Sequence, residues 1–175
     1  MAKQFLFIGD SLIEFFNWQN RFPGDKVYNF GAAGETAEGL YARLPGITRR
    51  LASPDLVMIM TGTNNIAMED YTFLITYEKI IDLLQNAYNQ TTIVMTSLLP
   101  MDFFFLGDAV FRVNKKLQHI AQSKNIVFLD LYPLFLDKNS KPVAAYYEPD
   151  GVHLSQEGYE IWAKALVDRI FPSLV

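Results

Sequence analysis

The chain has 175 residues, half of them apolar, with a formal net charge of −4, two histidines and no cysteine. That length and composition suit a single domain over 1–175 with a sizeable core, and the lack of any basic run speaks against nucleic acid or an anionic membrane surface as partner. Without cysteine there is no disulfide or thiolate chemistry, and His119 and His153 are too few for a multi-histidine metal centre, so no metal or cofactor is expected.

No apolar run reaches the ~20 residues of a bilayer span. Met1-Ala2-Lys3 leads straight into the first predicted strand without a leader, so the expected location is cytoplasmic, although a processed secreted form would read the same way. The run Phe5-Leu6-Phe7-Ile8 has the continuous apolar character of a strand buried on both faces of a parallel sheet. It stops at Gly9, where a tight turn delivers Asp10 and Ser11 to the strand's carboxyl end. Open α/β sheets bind ligands at that edge, which makes Ser11 a candidate nucleophile. Taken alone, Asp10 and Ser11 serve equally well as N-caps of a helix beginning at Leu12.

A turn over 21–25 precedes a second strand at 26–30, which runs into Gly31-Ala32-Ala33-Gly34. A helix is predicted over 36–43, broken near Pro45-Gly46, with 47–51 continuing the crossover. The third strand, 56–60, is the strongest candidate for the sheet centre and ends in Thr61-Gly62-Thr63-Asn64-Asn65. Leu74, Tyr77, Ile81, Leu84 and Tyr88 mark the buried stripe of a helix over 70–88. A fourth strand, 92–96, is followed by Met101 and by Phe103, Phe104 and Phe105. Three Phe in a connecting segment make a candidate pocket wall, and equally a buried plug or a dimer contact, which leaves homo-oligomerisation open. A helix over 110–123 carries His119 off its apolar stripe, a fifth strand covers 126–131, and Ser155 caps a last helix, with Leu154 and Tyr159 as a hydrophobic staple.

Five alternations of strand and helix predict an α/β three-layer sandwich around a five-stranded parallel sheet, and right-handed crossovers favour the order 2-1-3-4-5. That topology gathers Ser11, Gly31, Asn64 and the segment with Asp150 and His153 at one edge. A serine needs a base to become nucleophilic at neutral pH. His153 is the candidate base, and Asp150, three residues earlier, can hold its imidazole. The N–H groups of Ser11 and Gly31 and the Asn64 amide are candidate oxyanion donors.

Gly9-Asp10-Ser11-Leu12, Gly31, Gly62-Thr63-Asn64 and Asp150-Gly151-Val152-His153 resemble the four blocks of the SGNH (GDSL-type) hydrolase family, in order and across almost the whole chain. The resemblance implies a flavodoxin-like α/β/α fold and metal-independent hydrolysis of short-chain, thioester, lysophospholipid or acetylated-carbohydrate esters. It also implies the roles already set out for Ser11, His153, Asp150, Gly31 and Asn64. The third block of the family usually has Asp after its Asn, where this chain has Asn65; the departure concerns a local hydrogen bond or a substrate contact rather than the triad. Asp10, Asn65, Met101, Phe103, Phe104, Phe105 and Tyr147 are candidate contacts to the small acyl ester. A catalytically silent module that binds acylated ligands is the alternative, since an intact motif does not prove an aligned site.

Overall fold

The computed structural model describes residues 2–101 and 106–171, so Phe103, Phe104 and Phe105 lie outside the described residues. Strands β1 (Gln4–Gly9), β2 (Lys26–Gly31), β3 (Leu56–Met60), β4 (Thr92–Thr96) and β5 (Val127–Leu129) form a parallel sheet in the order β2-β1-β3-β4-β5. The order expected from right-handed crossovers is the order found. Gly9 pairs with Gly31 on one side and Met60 on the other. The carboxyl ends of the first three strands are therefore level, and the segments that leave them start side by side.

The helices are α1 (Ser11–Glu14), α2 (Ala37–Arg50), α3 (Thr63–Ala67), α4 (Phe73–Ala87), α5 (Ala109–Ser123) and α6 (Gln156–Ile170). The connection from β1 to β2 steps one way along the sheet and the later ones step the other way. Right-handed crossovers then put α2, α4 and α5 on one face and α1 on the opposite one. α2 packs on α4 and α4 on α5. On the other face the aromatic residues interlock: Phe7 meets Trp18 with centroids 5.1 Å apart, Trp18 meets Trp162 of α6 at 5.1 Å, and Phe16 stacks on Tyr159 at 4.6 Å. The apolar residues of β1 and β3 are fully buried, as their uninterrupted apolar sequences require.

Three boundaries differ from expectation. α2 runs unbroken through Pro45, because Leu40, Leu44 and Ile47 form one buried stripe whose packing outweighs the local loss of a helix bond. The fourth helix begins at Phe73 rather than 70, since Asp70 Oδ1 accepts from both the N–H and the hydroxyl of Thr72 and holds that stretch in a turn. β5 stops at Leu129 because Leu131 and Tyr132 donate their N–H groups to Ser97 Oγ, at 2.9 Å each. Ser155 caps α6 by accepting from Gly158 N–H, and His119 is exposed, both as expected. No helix among the described residues is long and apolar enough to cross a membrane.

Candidate active site

The site grows from the end of β1. Asp10 Oδ1 accepts the Leu12 N–H at 3.0 Å and caps α1, so the two readings of Asp10-Ser11 do not compete: one residue caps, and the next opens the helix. Asn29 of β2 supports the other end of α1, its amide donating to Ile13 O and Glu14 O. Ser11 thus sits on a short helix fixed at both ends.

Ser11 Oγ lies 3.0 Å from His153 Nε2, and His153 Nδ1 lies 2.6 Å from Asp150 Oδ2. Asp150 Oδ1 accepts the N–H groups of Val152 and His153 at 2.9 Å, so both carboxylate oxygens are engaged. These bonds, the histidine's first, hold the Asp150 carboxyl down at about 2 against the partial burial that opposes them. A carboxylate ionised at neutral pH places the imidazole proton on Nδ1 and leaves Nε2 as acceptor for the serine hydroxyl. The segment carrying both residues is closed by the bridge between Tyr147 and Leu154 and by Glu148 N–H donating to His153 O at 2.8 Å.

Gly31 does not offer the free donor expected of it. Its N–H donates to Asn29 Oδ1 at 2.9 Å. A Cβ at Gly31 would come within 2.2 Å of the Glu14 backbone nitrogen, so its role is close packing of β2 against α1. Three residues on, Gly34 has a left-handed φ of 73° and an N–H without an acceptor among the described residues. Its neighbours tie it to the site: Ala33 N–H donates to Glu14 Oε2 at 2.6 Å, and Glu35 O accepts from Asn64 Nδ2 at 2.9 Å. Arg43 of α2 braces the same segment. Its Nε and Nη2 each hold a Glu35 carboxylate oxygen at 2.6 Å, while Nη2 also donates to Phe30 O at 2.7 Å. Asn64 keeps a second amide hydrogen, and the Ser11 N–H heads α1 without an acceptor among the described residues.

Three residues expected at the substrate, Asp10, Asn65 and Tyr147, are buried instead. Asp10 is 0% exposed. Burial pushes its carboxyl up to about 6, against the lowering effects of the Leu12 N–H, the Thr63 hydroxyl and the charge of His153. Asp10 Oδ2 has no hydrogen bond of regular geometry. Asn65 is 1% exposed and works as a clasp: Oδ1 accepts Ala37 N–H, and Nδ2 donates to Glu38 Oε2 at 2.9 Å and Asp70 Oδ2 at 3.0 Å. An aspartate there would lose both donors and meet two carboxylates, which explains an asparagine at this position. Asn65→Asp is expected to lower stability by about 2–3 kcal/mol, with the deficit growing as pH rises and the three acids ionise. Urea denaturation at pH 5 and pH 8 checks this; an equal deficit at both would refute it. Tyr147 is buried, and Met101 is half-buried at the rim of the core.

Neither Arg43 nor Glu35 stood out in the sequence, where they read as ordinary helix and turn residues. Gly34 was visible only as a second glycine beside Gly31.

The family model for GDSL-like lipases and acylhydrolases matches residues 7–161. The alpha1 subunit of platelet-activating factor acetylhydrolase IB from Bos taurus is 27% identical over 168 residues, which cover 92% of this chain and 72% of that one. Among solved structures, a Streptococcus pneumonia protein reported as a candidate platelet activating factor superposes with a TM-score of 0.85 at 25% identity, covering 100% of this chain and 85% of that one. An acetylxylan esterase from Geobacillus stearothermophilus superposes with a TM-score of 0.76 at 22% identity, covering 96% and 94%, and shares the fold.

Proposed function

The chain belongs to the GDSL-like lipase/acylhydrolase family and is an ester hydrolase, and from that premise we propose that it cleaves small acyl esters, acetyl esters first among them, by acyl transfer through Ser11. The observation that carries this reading is the continuous relay from Ser11 Oγ to His153 and on to Asp150, at 3.0 and 2.6 Å. Ser11 Oγ attacks the ester carbonyl as its proton passes to His153 Nε2, and the Asp150 carboxylate stabilises the imidazolium that results. The carbonyl oxygen becomes an oxyanion, which takes hydrogen bonds from the N–H groups of Ser11 and Gly34 and from the Asn64 amide. Collapse breaks the bond to the leaving oxygen, which receives the proton from Nε2. Water then repeats the sequence on the acyl-serine, releasing the acid and freeing Ser11. The names of the relatives, an acetylhydrolase and an acetylxylan esterase, support the acetyl group as the acyl part.

Intact-mass detection of a fluorophosphonate adduct tests the reading. One adduct is expected on the wild type, none on Ser11→Ala, and much slower labelling of His153→Ala; a folded wild type that forms no adduct would sink it. Asn64→Ala is expected to lower kcat by about 10²-fold with little change in KM, because the amide acts on charge that exists only in the transition state. An unaltered kcat would remove Asn64 from the oxyanion donors.

A further inference from the structure

Phe15 is 57% exposed, yet its ring lies 5.3 Å from the imidazole of His153, tilted by 35°. Its N–H donates to Ser11 O at 3.0 Å, which sets it one helical turn beyond the nucleophile. It also borders an open groove of about 390 Å³ that continues along Glu14, Asn17, Gln19, Val27 and Asn29. We infer that this groove is the leaving-group subsite, and that Phe15 is the specificity-determining platform for a neutral, hydroxylated ring such as a sugar. The inference rests on the acyl-transfer reading of Ser11 and His153.

The direction follows from the chemistry. The carbonyl oxygen must face Ser11 N–H, Gly34 and Asn64, whereas the leaving oxygen must face Nε2, which returns the proton to it. The ring that flanks the imidazole therefore flanks the departing alcohol. The class of alcohol follows from the lining. No Lys or Arg borders the groove among the described residues, and Glu14 brings a carboxylate, so a phosphorylated or otherwise anionic leaving group is repelled. Arg21, close by in sequence, is engaged with Glu160. Glu14 Oε2 is held by Ala33 N–H, but Oε1 and the Asn17 amide make no hydrogen bond with the described residues. A flexible alkyl chain would strip water from those groups and replace none of their hydrogen bonds. A hydroxylated ring lays its C–H face on Phe15 and turns its hydroxyls to Glu14 and Asn17.

The test compares kcat/KM for a methyl mono-O-acetyl-xylopyranoside, hexyl acetate and trifluoroethyl acetate in the wild type, Phe15→Ala and Phe15→Tyr, with active serines counted by fluorophosphonate titration. The wild type is expected to favour the sugar acetate over hexyl acetate. Its selectivity for the sugar over trifluoroethyl acetate should fall by about tenfold in Phe15→Ala and be retained in Phe15→Tyr. Selectivity unchanged in Phe15→Ala would reduce Phe15 to a support for His153 and overturn the inference. A preference for hexyl acetate that Phe15→Ala abolishes would overturn it too, by making the groove a chain site. Failure of the wild type to titrate at all would remove the acyl-transfer reading and the inference with it.

Discussion

Ser11→Ala is expected to lower the turnover of p-nitrophenyl acetate by about 10⁴-fold or more, equivalent to at least about 5 kcal/mol of transition-state stabilisation. The hydroxyl is the only atom removed, and its recorded partner is the His153 ring. The Asp10 cap, the N–H of residue 11 and the Asn29 bonds beneath α1 all survive the change. The fold should therefore be retained, while the covalent path is closed. What rate remains would come from the oxyanion donors and from His153 acting on water. Steady-state kinetics beside a urea denaturation curve separates the two quantities. A variant that keeps its turnover would exclude Ser11 as nucleophile whatever its distance from His153.

Asp10→Asn is expected to raise stability. Burial raises the Asp10 carboxyl from 3.8 to about 6. Between those values the folded chain holds a proton that the unfolded chain has released, so stability falls as pH rises through this window and stays lower above it. The difference corresponds to about 3 kcal/mol at neutral pH. Asparagine keeps the Oδ1 acceptor for Leu12 N–H and carries no charge. The variant should thus gain up to about 3 kcal/mol at pH 8 and nothing below pH 4. Activity should move the other way, because the ionised Asp10 attracts a protonated His153, and losing that attraction is expected to lower kcat about three- to tenfold. Urea midpoints from pH 4 to pH 8 and kcat at pH 8 check both halves. A stability difference independent of pH would show that Asp10 is not the titrating group.

The sheet was legible because each strand is a short apolar run ended by turn residues, and strand order follows from crossover handedness once the strands are known. The Asp150 and His153 pair was legible because three residues separate them and the contact is local. Which N–H after β2 is left unbonded was not. Gly31 and Gly34 look alike in sequence, and the choice between them depends on Asn29 Oδ1 taking one N–H while the left-handed turn leaves the other without an acceptor among the described residues. Asp10 and Asn65, expected at the substrate, are buried instead, and the sequence did not show it for a related reason. Polar residues at a strand's carboxyl end resemble ligands until the neighbours that bury them are known. For Asn65 those neighbours, Glu38 and Asp70, lie 27 and 5 residues away.

What the sequence by itself determined is the five strands, their order in the sheet, the pairing of Asp150 with His153, and the family. The strands and the Asp150–His153 pair rest on local pattern and on spacing within a few residues, the strand order on crossover handedness, and the family on short blocks kept in order along the chain. What only the tertiary structure decided is which backbone N–H after β2 has no acceptor among the described residues, which acids are buried, and that Arg43 braces the segment after β2. It also decided that Phe15 stands between the imidazole and an open groove. Apart from the bond between Asn29 and Gly31, these depend on residues far apart in the chain, and they are resolved only when packing has brought them to the same edge of the sheet.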